Sequence, residues 1–204
     1  MRSILLALGA ALFLAGCAAE SVRSPMEEVA RAAYRHDGPP RLTLYTMINN
    51  RSGAGAHSAL MINGPQRVIF DPAGSFNSLR SLPERDDVLY GITPAVADVY
   101  TRYHARKTYH VRIQQLDVSP ELAARAIRLI EANGPVPSAQ CSLATSRILG
   151  ELFPGRVRSS WFPKKAADDF AQVPGVTEET LYEYDSDDNS GVLAAWDPGR
   201  FRAQ

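Results

Sequence analysis

The chain is 204 residues long, 45% hydrophobic, and carries 22 basic against 22 acidic side chains. That composition excludes a disordered polymer and suits one domain with a substantial core. A formal net charge of zero supplies no electrostatic footprint for nucleic acid or for a strongly anionic surface.

The first element is an export signal over residues 1–16. Arg2 precedes an apolar run from Ile4 to Leu14, followed by Ala15 and Gly16. The run is too short to span a bilayer, and small residues close it. Its end, LAGC, resembles a bacterial lipobox. The resemblance implies cleavage before Cys17 and a diacylglycerol in thioether linkage to the Cys17 sulfur. It also implies a lipoprotein held by its acyl chains in the bacterial cell envelope, membrane-anchored and facing the periplasm. Cleavage removes one basic residue, Arg2, so attachment rests on lipid alone. A lipidated Cys17 also leaves Cys141 without a disulfide partner, in a compartment where thiols are oxidised unless buried, protected or in use.

Residues 17–38 read as a tether with one short helix, closing at a Gly-Pro-Pro stop, and residues 39–204 as a single domain. From Arg41 onward, Leu42, Leu44 and Thr46 alternate with Thr43, Tyr45 and Met47 in the period of a strand. A glycine-rich loop, RSGAGA, delivers the chain to a second strand beginning at His57, and NGPQ turns it into a third over residues 67–71, a hairpin signal. Thr93-Pro94 starts a helix with Val96, Val99, Tyr100 and Tyr103 at helical spacing. Residues 108–116 alternate again, with Tyr109, Val111 and Ile113 on one face and His110, Arg112 and Gln114 on a wet one. Ser119-Pro120 starts a helix that turns Leu122, Ala126, Leu129 and Ile130 inward and stops at Asn133-Gly134. Beyond the helix that begins near Cys141, Pro163 opens a short helix and TEETLYEY gives a final strand.

On the Cys141 helix, Cys141, Ala144, Ile148 and Leu152 form one stripe, while Arg147 and Glu151 lie on another face as an i,i+4 pair. The thiol therefore faces inward. With Ser138 as N-cap it sits in the first turn, near the positive end of the helix dipole, where thiolate is favoured and free amides can donate to an oxyanion. A thiolate nucleophile needs an imidazole partner. Of the four histidines, His57 is best placed, at a strand start directly after a flexible loop. His36 in the tether, His104 among Arg102, Arg106 and Lys107, and His110 on the wet strand face read as solvated. The alternative is a non-catalytic binding lipoprotein whose cleft holds a peptide or acyl chain, with Cys141 only a small buried hydrophobe.

The order of these parts is a strand-start histidine in AHSALMING, a hairpin, intervening helices, then CSLATSRIL at a helix N-terminus. It resembles the circularly permuted branch of the NlpC/P60 papain-like superfamily over residues 41–153. The resemblance implies a papain-like α+β fold, an antiparallel sheet packed against the cysteine helix, with Cys141 as nucleophile and His57 as base. Members act on amide or ester bonds and include peptidases, amidases and lipid acyltransferases. A cysteine hydrolase or acyltransferase without a cofactor is thus implied, with a cell-wall peptide or a lipid as substrate.

In that superfamily a third polar residue orients the imidazole from a neighbouring strand. Twelve residues beyond His57 stands Ile69, which cannot do this, and Asp71 is the nearest acceptor. A two- or four-residue turn pairs Ser58 with Asp71 and leaves the carboxylate on the wrong face. A three-residue loop with a bulge pairs His57 with Asp71 directly. Otherwise Asp71 only caps the DPAG turn. Gln140, directly before the cysteine, is the oxyanion candidate, set against a solvent-facing role.

Competing chemistries lack their spacing. No G-x-S-x-G, H-E-x-x-H or paired C-x-x-C occurs, and one cysteine with scattered histidines makes a poor zinc site, so no metal is expected. DSDDNSG imitates a calcium loop at Asp185, Asp187 and Asn189. Its glycine falls seventh and Trp196 stands where glutamate is required, so it reads as a solvated turn.

Overall fold

Two long strands, β1 (Arg41–Asn49) and β2 (Gly55–Asn63), form the centre of the fold and carry apolar residues on both faces. The computed structural model, which describes residues 22–74, 76 and 82–195, sets them in a mixed α+β architecture. β3 (Arg67–Phe70), β4 (Glu84–Arg85), β5 (Val88–Tyr90), β6 (Tyr109–Asp117) and β7 (Thr177–Leu181) complete an antiparallel seven-stranded sheet of order β4-β5-β3-β2-β1-β6-β7. Around it lie α1 (Met26–Ala32), α2 (Pro94–His104), α3 (Pro120–Asn133), α4 (Cys141–Leu152), α5 (Pro163–Phe170) and α6 (Ser190–Ala195).

Period-2 alternation sorts the strand residues into two cores. Leu42, Leu44, Leu60, Ile62, Val68 and Phe70 face α3, α4 and α5, meeting Ala126, Ile130, Ile148 and Phe170. Tyr45, Met47, Ala59, Met61, Ile69 and Val111 face α2, meeting Val96, Val99 and Tyr100. Both starts read from Ser/Thr-Pro are realised: Thr93 Oγ1 accepts from Val96 N at 3.3 Å, and Ser119 Oγ accepts from Leu122 N at 3.2 Å. Gly134, at φ 71°, ends α3 in the left-handed region that glycine tolerates. Among the described residues no helix is long and apolar enough to cross a membrane.

Two sequence expectations change. Gln114, read as wet, is buried, because α5 crosses that stretch of β6 and Gln114 Nε2 donates to Ala167 O at 3.0 Å. From Val22 onward, the segment read as a tether packs onto the domain. Ser24 N donates to Glu84 O at 2.8 Å, Asp86 N donates to Val22 O at 2.9 Å, and Arg67 N donates to Tyr34 O at 2.7 Å. The strap covers backbone that the short edge strand β4 would otherwise present for pairing, and Val29 of α1 enters the core.

Gly91 fixes the seat of α1. It stands at φ 78°, and a Cβ there would approach Ala32 O to 2.8 Å. Gly91→Ala is therefore expected to lower stability by about 1–3 kcal/mol through backbone strain and loss of the α1 contact, checked by denaturant unfolding of the full chain.

Candidate functional site

The site forms where β3 stops accompanying β2. The β2–β3 ladder runs from Asn63↔Arg67 to Leu60↔Phe70. Beyond it Asp71 turns away, and its N–H donates to Asp87 O at 2.8 Å. One further step of the ladder would set Asp71 across from Ala59, neither of the partners expected from turn length. The separation from His57 along β2 is then two residues, which preserves the face and leaves a diagonal reach within range of long side chains. His57 Nε2 and Asp71 Oδ1 lie 2.7 Å apart. A bulge in β2 at Ala56, between the pairs Met47↔His57 and Ile48↔Gly55, aims the ring at the point where the strand emerges from the flexible loop.

The Asp71 carboxylate is almost fully buried and meets donors from three of the described residues. Oδ1 accepts from His57 Nε2 and from Tyr100 Oη at 2.8 Å, and Oδ2 accepts from Phe76 N at 3.0 Å. Burial favours its neutral form, but the His57 charge and these hydrogen bonds prevail and hold the carboxyl well below the usual carboxylate range. Asp71 thus orients the imidazole and ties the loop at Phe76, the two roles the sequence left as alternatives.

His57 is 13% exposed at its side chain. Burial opposes the imidazolium, yet the Asp71 charge and hydrogen bond, together with a hydrogen bond to Cys141, push its pKa up to about 10. Nε2 is engaged by Asp71, which leaves Nδ1 as the nitrogen that meets the thiol.

Cys141 opens α4 at its first helical position and is 7% exposed. Ala144, Ile148 and Leu152 continue its buried stripe, as the spacing predicted. Burial penalises the thiolate, but the His57 hydrogen bond and charge, with the backbone N–H groups of Ser58 and Ser142, outweigh it and lower the thiol pKa. The N-cap is Gln140 and not the exposed Ser138. Gln140 N donates to Pro137 O at 3.2 Å in a turn that puts Ala139 at φ 64°, so the chain enters the helix after Gln140 and not after Ser138. The half-buried Gln140 side chain makes no capping hydrogen bond. It flanks the first-turn amides, which have no intrahelical partner.

His104 is a correction. It is buried and stacks on His57 with centroids 6.0 Å apart and planes at 18°. Its Nδ1–H donates to Tyr100 O at 2.8 Å, and burial, with the His57 charge, lowers its pKa to about 4, so the ring is neutral. Tyr100 and His104 were both missed as site residues. Their signal was spacing: Val96, Tyr100 and His104 recur every fourth residue on one face of α2, and the basic neighbours of His104 obscured it. His110, in contrast, hydrogen-bonds Asn50 Oδ1 at 2.6 Å and stacks on Tyr182, away from the thiol.

Cys17 lies outside the described residues. The acidic stretch works as a latch. Asp187 accepts from Thr108 N at 2.9 Å, Asn189 Oδ1 accepts from Arg106 Nε at 2.7 Å, and Asp188 Oδ1 accepts from Ser190 N at 2.9 Å at the start of α6. A cavity of about 380 Å³ lined by Arg35, His36, Asp37 and Asn63 sits at the far end of β2 from His57 and holds no nucleophile. No family model, no curated protein and no solved structure matches this chain.

Asp71→Asn presents one acceptor oxygen where two met the His57, Tyr100 and Phe76 donors. It should both destabilise the fold, by about 1–3 kcal/mol, and raise the apparent thiol pKa of Cys141 in iodoacetamide rate–pH profiles. Tyr100→Phe removes one donor only and should cost about 1 kcal/mol with a smaller shift. A profile unchanged in Asp71→Asn would strike the carboxylate from the site.

Proposed function

We propose that the chain is a thiol-dependent hydrolase or acyltransferase acting on amide or ester bonds, carried on an envelope lipoprotein. The observation that carries this reading is the Cys141 thiol set beside a His57 ring that Asp71 holds at 2.7 Å, with the thiol pKa lowered and the imidazole pKa raised by their mutual interaction. A buried hydrophobic cysteine has no use for a charged imidazole held by a desolvated carboxylate. The order of parts, histidine strand before cysteine helix, supports the circularly permuted NlpC/P60 form of the papain-like fold, and a cell-wall peptide or a lipid as substrate.

Each step follows from an atom already placed. The Cys141 thiolate attacks the substrate carbonyl carbon, forming a C–S bond as the carbonyl electrons move to oxygen. The Cys141 N–H and the Gln140 side-chain amide, at the positive end of α4, stabilise that oxyanion. Collapse restores the carbonyl and breaks the C–N or C–O bond, while His57 Nδ1–H gives its proton to the departing nitrogen or oxygen. The neutral ring then takes a proton from water or an acceptor hydroxyl or amine, whose oxygen or nitrogen attacks the thioacyl carbon. Expulsion of the thiolate returns the imidazolium–thiolate pair. Asp71 holds Nε2 throughout, so that Nδ1 always faces sulfur.

The pH dependence has two limbs of known sign. Acylation rises with pH as the thiolate forms, through a thiol pKa below its ordinary value, and falls as His57 loses its proton near pH 10 and no longer protonates the leaving group. A bell of this shape with an activated ester, a thioacyl adduct on Cys141 by mass spectrometry, and a roughly 10²–10⁴-fold loss in His57→Ala are the expected results. An adduct that forms equally well in Cys141→Ala refutes the assignment.

The anchor is tested separately. Cys17→Ser should abolish the lipid mass increment and release the protein from the membrane fraction. Unchanged mass and partitioning would remove the lipoprotein reading.

A further inference from the structure

Trp161 and Phe162 are consecutive large apolar residues that stand exposed, at 57% and 70%. Their neighbours are pinned to the two elements that carry the thiol and the imidazole. Ser160 O accepts from Ser142 Oγ at 2.9 Å, Ser142 being the residue after Cys141, and Ser160 N donates to Ser146 Oγ at 2.8 Å. Phe162 N donates to Ser160 Oγ at 3.1 Å. Pro163 then lies so close to Gly55, two residues before His57, that a Cβ on Gly55 would stand 2.8 Å from the Pro163 Cβ. The Trp-Phe pair therefore projects from the rim between the first turn of α4 and the start of β2. The backbone is fixed by hydrogen bonds, and the rings remain in water, where apolar surface is unfavourable.

The charge around the pair is one-sided. Arg156, Arg158, Lys164 and Lys165 are all exposed; Asp168 pairs with Lys164 at 2.9 Å and with Arg112 at 2.6 Å, and Asp169 pairs with Arg158 at 2.8 Å. The neutrality of the whole chain hides this local surplus. Aromatic rings ringed by guanidinium and ammonium groups match the boundary between water and anionic lipid, where the rings enter the headgroup level and the cations meet phosphate.

We infer that Trp161 and Phe162 seat the rim of the Cys141–His57 site on an anionic phospholipid surface. The mouth of the site then faces the lipid. The seating stands independently of whether Cys141 is catalytic, because its readout needs no turnover.

The chain has two tryptophans, so Trp196→Phe leaves Trp161 as the sole indole. The full-length variant is reconstituted into vesicles of phosphatidylcholine alone or mixed with phosphatidylglycerol, each with and without brominated acyl chains. Expected are a blue-shifted emission and at least twofold quenching by brominated lipid in the anionic vesicles. The quenching should be weaker in phosphatidylcholine and weaker again in Lys164→Gln/Lys165→Gln. Cys141 alkylation should be unchanged in Trp161→Ala/Phe162→Ala, showing the site intact. Unquenched emission in protein-bearing anionic vesicles overturns the inference. So does an emission already blue-shifted without vesicles and unchanged by them, which would assign the rim to another part of this chain. A shift caused by soluble cell-wall peptide but not by lipid overturns it too, assigning the rim to peptide recognition.

Discussion

A carboxylate buried to 3% side-chain exposure is the constraint on which this site is built. Without donors, Asp71 would be protonated or the fold would relax around it. Its donors among the described residues come from separate parts of the chain: His57 from the start of β2, Tyr100 from α2, and the Phe76 N–H from the loop after β3. Satisfying one charge thus fixes three segments relative to one another. The imidazole is oriented because the carboxylate must be.

The placement of Cys141 follows from where the sheet is interrupted. α4 packs on the face that carries Leu60 and Ile62, whereas His57 and Ala59 belong to the face toward α2. A nucleophile on one face meets a base from the other only at a break. β3 supplies the break, since its pairing with β2 ends at Leu60↔Phe70. On that side the backbone of Ser58 is released from the ladder, and its amide helps to lower the Cys141 thiol pKa. The thiol occupies the place of a missing strand, where a backbone amide, the Ser142 amide and the imidazole all favour its anion.

The sequence shows which residues share a face far better than it shows what lies opposite them. Periodicity placed Cys141, Ala144, Ile148 and Leu152 on one buried stripe, and side-chain capping at Thr93 and Ser119 is local enough to read directly. Register is a property of two strands and a loop together, which is why Asp71 lies a diagonal step from the partners that turn length suggested. The burial of His104 and Gln114 depends on neighbours distant in sequence, the His57 ring for one and α5 for the other. Short strands β4 and β5 show no period at all, being two and three residues long. The N-cap moved from Ser138 to Gln140 because Ala139 adopts a positive φ, a conformation that alanine does not advertise.

The neutral His104 beneath His57 completes the electrostatics. Two stacked imidazoles at 6.0 Å compete for charge, and the loser is set by solvation and partners. His104 is buried in aromatic surroundings, with Phe76, Tyr100 and Tyr103 around its ring, and its Nδ1–H is directed at a backbone carbonyl, which stabilises the neutral tautomer. His57 has the Asp71 carboxylate, and the Cys141 sulfur beside it. The proton therefore resides on the ring that touches sulfur, and His104 supplies a flat, uncharged support that packs against the imidazolium without repelling it. A second charged ring there would lower the His57 pKa and, with it, the fraction of Cys141 held as thiolate. The neutrality of the one histidine is thus a condition for the charge of the other.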